Sequence, residues 1–240
     1  MPEVPDPPLP PLATPTPERP LCGLTVLVVD DSRFACEAVR LMCLRSGARL
    51  RRADSLAAAE RHLRVYRPSV LLVDLGLPDG NGLRLIERLD AAEPRIPVIL
   101  ATSGDEAALA EARAGGADAV LAKPLESIGA FQQAILAHLP PERRPRAPRP
   151  LPSEAVAPDP MALMEDLGRA REVLAKGEDE AALDYVACFL AGVAKGAHDR
   201  ALLRAAERLS RRREAGEPLV PEVARLAGLL QQRLQGRAAV

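Results

Sequence analysis

The sequence predicts an open α/β sheet of parallel strands with helices between them, followed by a smaller all-helical domain. Three observations carry this. Four short apolar runs, 24–29, 69–73, 96–101 and 119–122, are rich in Val, Ile, Leu and Ala and alternate with stretches of helical period. That is the pattern of strands buried on both faces by crossover helices. Two proline-dense stretches break the chain, with nine prolines in 1–22 and eight in 140–160. From Met161 onward every feature is helical, and the 240-residue length suits one standard domain plus a smaller one.

Taken in order, residues 1–22 hold too many prolines for helix or sheet and are expected to form an extended, disordered tail. The α/β domain spans 23–139, with helices expected at about 33–46, 55–65, 82–92, 106–114 and 127–139 between and after the apolar runs. Residues 140–160 read as a semi-rigid Pro/Arg linker carrying Arg143, Arg144, Arg146 and Arg149 as solvated charge. In 161–240, Leu163, Leu167, Ala170 and Leu174 form one helical stripe ending at Gly177. Leu183, Val186, Leu190 and Ala194 form a second, on a helix so apolar around its circumference that it should be central. A third helix runs from about Asp199 to Arg213. Pro221 begins a fourth, whose Val223, Leu226, Leu230 and Leu234 lie close to a heptad seam. That seam predicts self-association of the small bundle.

The apolar runs also place chemistry. Asp30 and Asp31, Asp74, Thr102 and Lys123 each follow directly on one of them. Open parallel sheets bind ligands at the carboxyl ends of their strands, so these side chains should converge on one edge. Carboxylates gathered there need a compensating cation, and hard oxygen ligands select Mg2+. With Lys123 and the Thr102 hydroxyl to neutralise and hydrogen-bond phosphate oxygens, the set suits phosphoryl transfer to a carboxylate. Asp74, alone on the central run, is the expected nucleophile, and the adjacent Asp30 and Asp31 are the expected metal ligands. An acidic residue after a strand is often only a helix N-cap, and Asp30-Asp31-Ser32 could be one. Four such positions together favour a site. Lysine itself is informative: of 32 Lys plus Arg, lysine stands only at 123, 176 and 195. A compact ammonium at the fourth strand end fits a cramped phosphate site better than a planar guanidinium.

Four motifs carry a resemblance: VVDDS at 28–32, LVDLGLPDGNG at 72–82, PVILATS at 97–103 and GGADAVLAKP at 115–124. In this order and spacing, residues 24–139 resemble a bacterial response-regulator receiver domain of two-component phosphorelays. The resemblance implies a flavodoxin-like (βα)5 fold with a five-stranded parallel sheet in the order 2-1-3-4-5. It implies that Asp74 accepts a phosphoryl group from the phosphohistidine of a histidine kinase or phosphotransfer protein. Mg2+ would then be held by Asp30, Asp31, Asp74 and the Gly76 backbone carbonyl, and the phosphoryl oxygens by Thr102 and Lys123. It further implies a cis bond at Lys123-Pro124. Val120 stands where the family often has a Tyr or Phe switch three residues before the lysine, so a standard aromatic swing is not available. Gly76 and Gly104 stand where the family varies side chains that control attacking water.

Composition narrows the output. Residues 23–139 carry 14 basic and 15 acidic residues and 161–240 carry 13 and 12, a balance that argues against a nucleic-acid surface. The helical domain lacks a winged or helix-turn-helix signature with a basic recognition helix. The expected protein is therefore a regulator, not an enzyme, that signals through protein contacts of 161–240; the alternative is a transcriptional regulator with a non-standard helical DNA-binding output. Basic residues at a helix C-terminus answer the macrodipole, which accounts for Arg211, Arg212 and Arg213. His198, where a helix begins, reads as an ordinary polar residue rather than a phosphoryl carrier. Cys22, Cys36, Cys43 and Cys188 show no zinc spacing and are expected to be buried, reduced thiols. No apolar run approaches a membrane span, and the N-terminus is proline-rich and acidic rather than a signal, which predicts a cytoplasmic protein.

Overall fold

The computed structural model describes residues 14–147, 152, 154–176 and 180–236. Its first domain alternates β1 (Thr25–Val29), α1 (Arg33–Ser46), β2 (Arg49–Ala53), α2 (Leu56–Val65), β3 (Val70–Asp74), α3 (Gly82–Asp90), β4 (Val98–Ser103), α4 (Glu106–Ala114), β5 (Ala119–Ala122) and α5 (Ile128–Leu136). The five strands are all parallel, in the order β2-β1-β3-β4-β5. This is the expected receiver fold.

Strand geometry sends alternate side chains to opposite faces. Val26, Val28, Leu72 and Leu100 pack with Met42 of α1 and with Phe131 and Ile135 of α5. Leu27, Val29, Leu71, Val73 and Ile99 pack on the other face with Ala59, Ile86 and Ala112 from α2, α3 and α4. β3, in the middle, is buried along its whole length. β2 (RLRRA) is different: as an edge strand it exposes Arg49 and Arg51, so it has no apolar run and escapes a search for one. α1 starts on Ser32, whose hydroxyl accepts from Ala35 N at 3.0 Å, and ends on Gly47 at φ 84°. The Lys123-Pro124 bond is cis. α3 and α5 end two or three residues earlier than their stripes suggest.

Two boundaries move. Much of the expected tail, residues 1–13, lies outside the described residues, but Leu21 is fully buried in the α1/α5 core and its N–H donates to Ser46 O at 2.9 Å. Its apolar side chain outweighs the prolines around it. At the end of the expected linker, Ala155 bridges to Ser127, and Val156 donates to Glu126 O at 3.0 Å while burying its side chain in the same core. The segment thus returns to the first domain before the bundle begins. Residues 148–151 and 153, and the helix stop at Gly177, lie outside the described residues.

The bundle comprises α6 (Pro160–Lys176), α7 (Glu180–Gly196), α8 (Arg200–Glu214) and α9 (Val220–Gly236). α7 packs on α6 and α8, and α9 closes the ring against both. Leu167, Ala170, Leu174, Val186, Leu190, Leu202 and Leu209 share one core. The α9 seam points into it. Leu226 and Leu230 are fully buried, and Val223 and Leu234 pack against the same cluster. The apolar row that predicts self-association is therefore used within the bundle and is not presented to a second copy. α6 and α7 also pack on α1, so α7 needs apolar residues around much of its circumference. No helix among the described residues is long and apolar enough to cross a membrane.

Candidate functional site

Because the strands are parallel, their carboxyl ends share one edge. There β1 delivers Asp30 and Asp31, β3 ends on Asp74, β4 carries Thr102 in register with Asp74, and β5 runs out into Lys123. The structure brings all five expected side chains together. Asp30, Asp31 and Asp74 are buried and each offers a carboxylate oxygen within 4.8 Å of the others'. Lys123 Nζ lies 2.8 Å from Asp30 Oδ2 and 2.8 Å from Asp74 Oδ2. Asp30 Oδ1 also accepts from Ser32 N at 2.9 Å, so Ser32 caps α1 and Asp30 braces the turn before it. Gly76 N lies 3.4 Å from Asp74 Oδ1. Gly82 has a steric role: a Cβ there would stand 2.2 Å from the Asp74 carbonyl oxygen.

The electrostatics follow from three carboxylates sharing one cation. Burial, with repulsion from Asp30 and Asp74 added, pushes the Asp31 carboxyl up to about 7 although Tyr185 and Lys123 oppose it. Burial likewise pushes Asp74 up to about 6, against the pull of Lys123. Burial disfavours the Lys123 charge, yet Asp30 and Asp74 outweigh it and hold the ammonium above its ordinary range. The pocket is two positive charges short of neutral if all three carboxylates ionise at once.

Two buried oxygens here have no hydrogen-bond partner, Asp31 Oδ1 and the Thr102 hydroxyl. Orphaned buried polar atoms are costly and rare in folded proteins. One is an anionic oxygen beside two other carboxylates, which suits a hard divalent cation; the other is a neutral donor, which suits an anionic oxygen. The residues present therefore fit a metal site with an adjoining phosphate position.

Sequence reasoning missed the residues that reach this edge from the bundle. Asp166 of α6 caps α1 across the domain boundary: its Oδ2 accepts from Ser32 Oγ at 2.7 Å and Phe34 N at 3.0 Å, and its Oδ1 from Arg33 N at 2.9 Å. Burial raises its carboxyl above the ordinary range, against the smaller opposing pull of these three donors. Arg169 Nη1 donates to the Asp31 carbonyl at 3.0 Å, and the Tyr185 hydroxyl donates to Asp31 Oδ2. Lys195 Nζ donates to Gly104 O at 2.8 Å, on the loop after β4. Rarity was the available signal: Lys195 is one of three lysines and Tyr185 one of two tyrosines. Between the domains lies a cavity of about 620 Å³, reached by Phe34, Asp74, Gly104, Lys123, Cys188 and Phe189. Val120 stands partly buried against the α2/α3/α4 core.

The other singled-out residues have structural partners. Arg211 pairs with Glu207, Arg212 with Glu217 and Glu222, and Arg213 with Asp184. His198 is exposed, adopts φ 54° and lies 3.2 Å from Glu126 Oε1. Of the four cysteines expected to be buried, Cys36 and Cys43 are buried free thiols, whereas Cys22 is half-buried and Cys188 is exposed at the cavity, where the bundle leaves its helix face uncovered.

A family model described as the response regulator receiver domain matches residues 26–135. The virulence transcriptional regulatory protein PhoP of Salmonella typhimurium is 31% identical over 116 residues, 47% of this chain and 52% of that protein. The transcriptional regulatory protein PhoP of Escherichia coli O6:H1 is 29% identical over the same length. The chain thus spans about half the length of these curated relatives. Among solved structures, a response regulator signal receiver domain from Bermanella marisrubri is 30% identical and covers 48% of this chain and 96% of that one, with a TM-score of 0.43.

Proposed function

We propose that this chain, whose residues 26–135 are a response regulator receiver domain, is phosphorylated on Asp74 by a histidine kinase or phosphotransfer protein and signals through its C-terminal helices. The observation that carries the reading is the convergence of Asp30, Asp31, Asp74 and Lys123 beside two unpartnered oxygens. In the reaction an Asp74 carboxylate oxygen attacks phosphorus in line. The new O–P bond forms as the bond to the donor's leaving nitrogen or oxygen breaks, giving an acyl phosphate. Lys123 gives up one of its two carboxylate partners to the incoming phosphoryl oxygens, and the Thr102 hydroxyl, already without a partner, donates to another. Asp30, Asp31, Asp74 and the Gly76 carbonyl would hold Mg2+, which supplies charge neutralisation at the transferring group. The cavity at Asp74 has room for a small phosphodonor.

Output through protein contacts is favoured by the pairing of Arg211, Arg212 and Arg213 with acidic neighbours, which offsets their charge towards phosphates, and by the near balance of basic and acidic residues in 161–240. The test is incubation with acetyl phosphate and Mg2+. Intact mass should show one added, hydroxylamine-labile phosphoryl group, lost in Asp74→Ala. Equal labelling of Asp74→Ala refutes the assignment.

A further inference from the structure

The bundle reaches the acidic edge at Asp31, one of the three clustered carboxylates. One Asp31 oxygen, Oδ2, accepts the Tyr185 hydroxyl; the other, Oδ1, is buried and without a partner. The backbone of the same residue is held from α6, where Arg169 donates to its carbonyl. The next residue, Ser32, is held by Asp166, which also receives Arg33 N and Phe34 N. These contacts join residues more than 130 positions apart. A carboxylate on a single side-chain torsion can present either oxygen to a metal or turn away. A donor fixed on one oxygen removes that freedom and leaves the other oxygen available to a metal.

We infer that Tyr185 is a positioning residue for the receiver's metal site, so that docking of the C-terminal helices and metal binding at Asp30, Asp31 and Asp74 reinforce each other. The inference rests on the metal reading above and adds the bundle to it. Outer partners that orient metal-ligating side chains commonly change metal affinity by roughly 10- to 100-fold. Linkage then makes the effect reciprocal: if the docked bundle tightens metal binding by a given factor, metal favours the docked state by the same factor. α6 and α7 would thus sense loading of the site directly through Asp31, without an aromatic residue at position 120. Tyr185 stacks beside Phe189 with ring centroids 5.7 Å apart, and a phenylalanine would keep that packing while losing only the hydroxyl.

The experiment uses the full chain and Mg2+ alone. Calorimetric titration should show Mg2+ binding roughly 10-fold or more weaker in Tyr185→Phe than in wild type. Hydrogen exchange should show that Mg2+ increases protection of the Arg33 and Phe34 amides and of α6 and α7 in wild type, and that Tyr185→Phe suppresses this gain. A merely structural tyrosine would not make protection metal-dependent. If Tyr185→Phe itself undocks the helices, the wild-type exchange experiment decides alone. Mg2+ binding that Asp74→Ala weakens but Tyr185→Phe leaves unchanged overturns this inference and spares the metal reading, as does metal-induced loss of protection in α6 and α7. Mg2+ binding indifferent to Asp31→Asn and Asp74→Ala overturns both.

Discussion

Replacing Asp31 with Asn should stabilise the protein when metal is absent. Asp31 is 1% exposed, and its carboxyl is pushed from an ordinary 3.8 to about 7 by burial and by Asp30 and Asp74. At 1.36 kcal/mol per pH unit, keeping it ionised above pH 7 costs the fold at most about 4 kcal/mol. The sign follows from proton counting. Between pH 3.8 and about 7 the folded state retains a proton that the unfolded state has released, so stability falls as pH rises through this window and levels off above it. Asn removes that loss, while its side-chain oxygen can still accept from Tyr185. In EDTA at pH 8, Asp31→Asn should therefore raise the melting midpoint by about 10 °C at most, at a few degrees per kcal/mol. The gain should shrink towards zero near pH 4. Mg2+ should narrow the difference, because wild type gains about 2.7 kcal/mol at a concentration 100 times its Kd and the variant gains less. Thermal melts followed by circular dichroism at several pH values, with EDTA or with Mg2+, provide the readout. An Asp31→Asn protein less stable than wild type in EDTA at pH 8, or a difference that does not narrow on acidification, refutes the electrostatic argument.

Two further outcomes follow from the packing. Asp166→Ala removes the acceptor of three donors at the start of α1 and should cost about 1–3 kcal/mol, with faster exchange at the Arg33 and Phe34 amides; unchanged exchange would mean that the cross-domain cap is not formed in solution. Leu230→Glu places a carboxylate in the bundle core and should cost about 4 kcal/mol or more, seen as lost helical signal; a folded monomer released from a dimer would contradict the inward placement of Leu230.

The apolar runs alone locate four of the five strands and the chemical edge they share. Runs buried on both faces must be apolar throughout, so 24–29, 69–73, 96–101 and 119–122 stand out, and the polar residue that ends each run belongs to the carboxyl edge. Asp30, Asp31, Asp74, Thr102 and Lys123 were legible for that reason. β2 was not, because an edge strand keeps its arginines in water and carries no continuous apolar signal. Leu21 and Val156 lie among prolines whose backbone preference says nothing about where one apolar side chain docks. On α9 the heptad spacing marked Leu226 and Leu230 as an interface, but helical periodicity identifies an apolar stripe and not its partner, and only the fold turned that stripe inward. The same limit hid Asp166, Arg169 and Tyr185. Each is a polar residue whose partner lies more than 130 residues away, and a hydrogen bond across two domains leaves no period or motif in either segment. Local pattern decides which faces are apolar and which strand ends are charged; the three-dimensional packing of α6 and α7 on α1 alone decides that the bundle touches the acidic site.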